Sequence, residues 1–321
     1  MAEKGAPADS RRSTRAVAAL VFVTVLWGWT FVWMGQAVGA SERRLGSAGL
    51  VAGVGLFMTL RFGLAALLML AIPAVRSCCT RGTWIGGLWL GVPLLAGFLL
   101  QMFGLSGVSL AVSAFLTSLY VLFTAVMTSV RERRAPHAGL LVGATLATTG
   151  AAFIGGPPQL TFGAAEWLTV GCAVVFAVHI LVTDHWTRRE RPMPVTFASF
   201  VVVALGAAAT LAIGVRALEG EAWDALAGLC ADPEFLQPLL WSSVLATVLA
   251  LSMMNLFQRD LDPVRAAIVY AIEPVWAALV GIAYGTDRPT PWLYFGGAAL
   301  LAGNLTAELL PLLTRRRASA A

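Results

Sequence analysis

Ala16-Val-Ala-Ala-Leu-Val-Phe-Val-Thr-Val-Leu-Trp-Gly-Trp-Thr-Phe-Val-Trp-Met-Gly-Gln-Ala-Val-Gly39 is a run of 24 residues without a charge. A helix that crosses a bilayer needs about 20 mostly apolar residues. Lys4, Arg11, Arg12 and Arg15 precede the run. A secretory signal shares that order, but its apolar part spans about 7–15 residues and ends at a small-residue cleavage site. Here the run continues past Trp27 and Trp33 without such a site. It predicts a retained first membrane helix.

The composition extends this reading to the whole chain. Of 321 residues, 58% are hydrophobic and 12% charged, and the mean hydropathy is +0.79. Soluble proteins are about 45–50% apolar and about 25% charged. A soluble core cannot hide that much apolar surface, which excludes a soluble enzyme, a disordered chain and a nucleic-acid binder. Cutting at charged, Pro-rich and Gly-rich breaks gives ten spans: 16–39, 51–75, 84–104, 108–130, 138–155, 164–186, 193–215, 236–258, 264–285 and 291–312. The cut between the third and fourth rests on the turn-prone Gly104-Leu-Ser-Gly107.

Charge placement gives an orientation. With the N-terminus inside, 17 of the 22 Lys and Arg residues face the cytoplasm. Arg43, Arg44, Arg216 and Arg288 face outward and Arg61 lies within a span. Basic loops resist translocation, so both termini are expected in the cytoplasm of a bacterial inner (cytoplasmic) membrane protein. This accounts for the net charge of +5 without a nucleic-acid partner. The loop 216–235, with Glu219, Glu221, Asp224, Asp232 and Glu234, is expected outside.

The two halves echo each other. Ser113-Ala-Phe-Leu-Thr-Ser-Leu-Tyr-Val-Leu-Phe-Thr-Ala-Val-Met127 leads to a basic-acidic-Pro exit at 131–136. Arg265-Ala-Ala-Ile-Val-Tyr-Ala-Ile-Glu-Pro-Val-Trp-Ala-Ala-Leu279 leads to Thr286-Asp-Arg-Pro-Thr-Pro291. Leu26-Trp-Gly-Trp-Thr-Phe-Val32 pairs more loosely with Val175-Phe-Ala-Val-His-Ile-Leu181. A five-helix unit is odd-numbered, so its copies enter the membrane from opposite sides, as in many secondary transporters. The expected fold is an all-α integral membrane protein of ten transmembrane helices in two inverted five-helix repeats. The expected division is a cytoplasmic tail 1–15, repeats 16–155 and 156–312, and a tail 313–321.

Five stretches, Leu26-Trp-Gly-Trp-Thr-Phe-Val32, Leu60-Arg-Phe-Gly-Leu-Ala-Ala66, Gln101-Met-Phe-Gly-Leu105, Ser113-Ala-Phe-Leu-Thr117 and Glu273-Pro-Val-Trp-Ala277, resemble signatures of the EamA family of the drug/metabolite transporter superfamily. The resemblance implies ten helices in two inverted repeats and export of amino acids, metabolites or drugs. Arg131-Glu132-Arg133 stands near the family's Gly-Glu-Arg, whereas the second half departs to Gly285-Thr286-Asp287. No function is assigned to Glu132 or Asp287.

An ionisable side chain in hydrocarbon must pair or meet water. Arg61 falls near the middle of the second span. It is either a structural arginine satisfied by carbonyls, or a counter-charge for an anionic substrate or for Glu273. Glu273 precedes Pro274, which deprives the Tyr270 carbonyl of its helical donor and kinks the ninth span. Glu273 is a candidate for proton coupling or substrate contact, or one half of a static pair with Arg61. His179, with Cys172, Phe176 and Thr183 on one helix face, is either a satisfied structural residue or part of a cavity wall. Ser113, Thr117, Tyr120, Thr124 and Thr128 form a polar stripe, read as interhelical hydrogen bonding or as a pathway wall. Trp27 and Trp29 lie too deep for an interfacial belt. The expected pathway is therefore Trp27, Gln101, Thr117, Tyr120, His179, Asn255 and Tyr270, with Arg61 and Glu273 as the coupling or charge pair.

Gly35-x-x-x-Gly39, Gly87-x-x-x-Gly91 and Gly281-x-x-x-Gly285 are packing motifs, which fits a monomer or a weak homodimer. Cys78 and Cys79 form an adjacent pair on an inner turn, read as incidental or acylated. No phosphate loop, hydrolase or metalloprotease motif is present, so no ATP drive, cofactor, metal site or catalytic residue is expected. The chain reads as a secondary transporter for a small molecule, with protons as the candidate coupling ion. A membrane enzyme and a non-transporting sensor or assembly subunit are the alternatives.

Overall fold

The computed structural model describes residues 6–76, 80–133, 138–153, 162–218, 222–261 and 263–318. Cys78, Cys79, Glu219 and Glu221 lie outside them. The described residues fold into helices α1 (Ala6–Leu45), α2 (Leu50–Met69), α3 (Pro73–Arg76), α4 (Arg81–Leu105), α5 (Leu110–Thr117), α6 (Tyr120–Arg131), α7 (Ala138–Phe153), α8 (Ala164–Arg189) and α9 (Pro192–Val215). There follow α10 (Ala222–Cys230), α11 (Pro233–Trp241), a π-helix (Ser242–Leu249), α12 (Ala250–Phe257), α13 (Pro263–Tyr270), α14 (Glu273–Ala283) and α15 (Pro291–Ala318). Eight helical stretches among the described residues are long and apolar enough to cross a membrane. The all-helical membrane fold expected from composition is therefore present.

The boundaries follow local chemistry. Thr80 opens α4 with a reciprocal capping box to Thr83. Ser109 caps α5, its hydroxyl accepting from the Val112 N–H at 3.3 Å, so Gly104–Gly107 is the turn its composition predicts. Asp232 caps α11, and Pro233 starts that helix without wasting a donor. The first helix begins at Ala6, so the expected tail 1–15 is helical from that residue on. Polar residues there favour helix as readily as coil, and hydropathy does not mark where an α-helix ends.

Four expected spans are not continuous α-helices: the second, 51–75, ends as α2 at Met69 and resumes as α3 at Pro73. The fourth breaks at Ser118–Leu119, between α5 and α6. The ninth breaks at Ala271–Ile272, just before Glu273 and Pro274. The eighth carries the π-helix, in which Thr247 donates to the carbonyl of Ser242, five residues back, at 2.9 Å. Such turns carry one extra residue and often mark functional sites.

Packing joins α1 with α11, α12 and α14, α2 with α9 and the π-helix, α4 with α8 and α9, α6 with α8, α5 with α14, and α7 with α15. Gly87 and Gly91 of the second small-residue motif face Ala198 and Val202 of α9, inside one chain. Ion pairs tie both ends of α1 to the segment around α11 and α12. At one end Arg12 meets Asp260 at 2.9 Å. At the other Arg44 meets Asp232 at 3.0 Å and Arg43 meets Glu234.

Candidate functional site

The helix breaks converge on one interior cavity of about 60 Å³. Its walls include Trp27, Thr30 and Phe31 of α1, Phe98 and Gln101 of α4, Thr117, Tyr120, Phe176 and His179, and Tyr270 and Glu273. About 10–15 Å³ of such space holds a water. This compact conformation thus has room for a few waters and not for a metabolite. A second crevice of about 520 Å³, lined by Trp29, Trp33, Gln36, Trp241 and Tyr284, presents no carboxylate or basic side chain.

Tyr120 and Glu273 meet in the cavity wall. Tyr120 is the first residue of α6 and Glu273 the first of α14, so each lies just past a break. The Tyr120 hydroxyl donates to Glu273 Oε2 at 3.2 Å. Tyr270, the last residue of α13, sets its ring 5.5 Å from that of Trp27 in a tilted contact and donates its hydroxyl to Gln258 Oε1 at 2.9 Å. Gln258 in turn donates to the Ile180 carbonyl at 2.9 Å. Gln101 donates to Thr117 at 3.3 Å. The Trp27 indole N–H has no hydrogen-bond partner.

His179 is held as much as exposed. Its Nδ1 lies 3.1 Å from the Leu90 carbonyl of α4, a contact that requires the proton on Nδ1, and its Nε2 lies 3.4 Å from the Thr183 hydroxyl. The imidazole therefore tethers α8 to α4 while one face lines the cavity.

Two expectations are not realised. Asn255 does not line the cavity; it donates to Thr196 of α9 at 2.7 Å and joins α12 to that helix. Arg61 and Glu273 do not pair, since Glu273 takes Tyr120 as its donor. Arg61 donates through Nε to Thr247 at 2.7 Å, and its two terminal nitrogens have no hydrogen bond. Of the polar stripe on the fourth span, only Thr117 and Tyr120, on either side of the break, reach the cavity, and Thr124 donates back to the Tyr120 carbonyl at 2.7 Å.

Sequence reading passed over two buried polar groups that shape the site. Asn304 of α15 donates to the carbonyl and the hydroxyl of Ser118, at 3.0 and 3.1 Å, and so satisfies the break in the fourth span. Asp287 accepts from the Ala111 N–H at 3.1 Å and so caps α5 from the loop after α14. Burial pushes the Asp287 carboxyl above its ordinary value, and the Ser109 and Ala111 hydrogen bonds pull the other way. Among the described residues, no three His, Cys, Asp or Glu side chains stand together as a metal site.

The described helices thus form a multi-pass membrane fold whose two broken helices meet at a mostly apolar cavity that also presents Tyr120, His179 and Glu273. Residues 163–307 match the model of the EamA-like transporter family. An "Uncharacterized transporter" of Archaeoglobus fulgidus is 24% identical over 291 residues, covering 90% of this chain and 84% of its own. A solved structure described only as a crystal structure of a protein has the same fold at a TM-score of 0.58, with 17% identity over 89% of this chain and 96% of its own. The resemblance seen in the sequence motifs is thus borne out.

Proposed function

We propose that this protein is an alternating-access secondary transporter that exports a small metabolite, amino acid or drug-like solute across a bacterial inner membrane, driven by protons. In this reading both termini are cytoplasmic, and ten transmembrane helices form two inverted five-helix repeats. α1, α2, α4, the broken α5–α6 and α7 make the first repeat. α8, α9, the α11–α12 run, the broken α13–α14 and α15 make the second.

The observation that carries the proposal is the symmetry of the packing. Exchanging each helix for its counterpart five spans away turns α1 against α14 into α8 against α6. It turns α1 against α11 and α12 into α8 against α4, and α2 against the π-helix into α9 against α4. The pairs α2–α9 and α7–α15 map onto themselves, and α5–α14 maps onto α13–α6. Each break, in the fourth and ninth spans, also has the other as its counterpart. Such a structure supports two equivalent conformations, one for each side, with the site between the halves. Glu273 in the shared cavity is the group that would exchange a proton for solute.

The test is flux. Purified protein in proteoliposomes is loaded with a mixed metabolite extract, and efflux is followed with and without an imposed pH gradient. Solutes that leave only in the presence of the protein, faster with the gradient, are expected. Identical efflux from protein-free vesicles would remove the transport reading, and efflux indifferent to the gradient would remove proton drive.

A further inference from the structure

Arg61 is fully buried, yet its charge has no carboxylate partner. The guanidinium is always ionised at accessible pH. Its Nε is used by Thr247 at 2.7 Å, and the Thr247 hydroxyl is fixed in turn by the Ser242 carbonyl of the π-helix. Its carbon lies 4.6 Å from the centre of the Phe98 ring and 5.3 Å from that of Phe62. These contacts account for the Nε edge and for the ring-facing surfaces. They leave the end-on edge, Nη1 and Nη2, without an acceptor. That edge is the fork that takes the two oxygens of a carboxylate.

Phe98 connects this edge to the transport cavity. The same ring that stacks on Arg61 is part of the cavity wall, where it meets Phe176 edge-on at 5.5 Å. A rotation of one aromatic side chain would open the guanidinium to the cavity. We propose that Arg61 is an anion subsite behind Phe98, and that the solute carries a carboxylate which Arg61 receives in a two-pronged hydrogen bond once the Phe98 ring swings aside. Thr247 and the π-helix hold the fork in position. The proposal rests on the transporter reading and narrows its substrate class.

The test needs no variant at first. Thermal unfolding of the purified full-length protein is followed with benzoate, with benzamide as the uncharged isostere, and with sodium chloride at equal ionic strength. Benzoate at saturation is expected to raise the midpoint by roughly 5 °C, the size of shift a ligand well above its Kd produces. Benzamide and chloride are expected to leave it in place. No rise with benzoate overturns the subsite. An equal rise with benzamide overturns it also, because the charge is then irrelevant. An equal rise with chloride overturns the assignment to a solute carboxylate in favour of a resident inorganic anion.

Two variants add independent readings. Arg61→Lys keeps the charge and loses the planar fork, and is expected to lose the benzoate response. Phe98→Leu removes the ring between cavity and guanidinium, and is expected to strengthen it; a weaker response would overturn the role of Phe98. Benzoate binding without solute efflux counts against the transporter reading alone. Efflux of an uncharged solute without benzoate binding counts against the subsite alone.

Discussion

The Tyr120 hydroxyl donates to the Glu273 carboxylate at 3.2 Å across the two broken helices. Each residue opens the second half of its helix, and 153 residues separate them in sequence. A broken helix exposes backbone groups that a continuous one would use itself, and these are tolerated at membrane depth only in protein or beside a water-filled cavity. Two breaks facing each other therefore mark the place where polar chemistry is affordable. The same contact joins α6 to α14, so a change in what Glu273 bonds is a change in how these two helices meet.

From this contact it follows that Glu273→Gln should abolish the acceleration of efflux by a pH gradient while leaving counterflow of the same solute. Tyr120→Phe removes the donor and leaves the carboxyl. It should lower stability in detergent by about 0.5–1.5 kcal/mol, the range for an ordinary side-chain hydrogen bond. A double-mutant cycle checks the assignment. If the two losses simply add, the contact does not operate in solution.

How much of this was legible in the sequence depends on how local its cause is. Arg61 and Glu273 stand out because so few charges enter the spans, and Pro274 announces the break beside Glu273. The matching break at Ser118 has no proline. It depends on Asn304, 186 residues away, which no local pattern reveals. The pairing of Arg61 with Glu273 fails for a related reason. Opposite charges on two spans say nothing about helix rotation, and the actual partner, Thr247, is brought round by a π-turn that its sequence does not signal. Asn255 looked like a pathway residue because it is polar, whereas it serves as an interhelical bond to Thr196.

Asp287 belongs to the same non-local class. Its carboxyl caps α5 and packs against Gly281, where any Cβ would collide with it. Asp287→Ala should cost about 0.5–2 kcal/mol, as loss of a helix-capping acceptor does. Asp287→Asn keeps an acceptor without the buried charge and should cost less. The folded carboxyl binds its proton more tightly than the unfolded one, so the wild type should gain stability as pH falls through the raised value towards 3.8. Asp287→Asn should lack that gain in melting curves taken from pH 7 to 4.

Asp232 should show the opposite sign. The Glu234 N–H, accepted at 2.9 Å, and then Arg44 hold its carboxyl below the ordinary value. Its contribution is present above 3.8 and lost as pH falls through the lower folded value. Melting curves of wild type and Asp232→Asn should differ by a constant amount from pH 7 to 5 and converge below about pH 4, near the reference carboxyl value. Because the Arg44 pair is at the surface, added salt should narrow the difference. The cap itself should persist, since asparagine also caps helices well.

Asn304 supports the least visible element of the site, the break in the fourth span. Its amide donates to the Ser118 carbonyl at 3.0 Å, and the Ser118 hydroxyl is already committed to the Phe115 carbonyl at 2.7 Å. Asn304→Ala leaves the Ser118 carbonyl with the Val121 N–H, 3.1 Å away, as its remaining donor, at an expected cost of about 0.5–1.5 kcal/mol. If the break exists only to pack α15, stability should fall while flux per folded molecule stays unchanged. If the break places Thr117 and Tyr120 in the cavity, the fourth span should straighten and flux should fall by more than the loss of folded protein explains. We expect the second outcome. Efflux normalised to folded protein, compared between Asn304→Ala and Asn304→Gln, measures it, because glutamine keeps the amide donor.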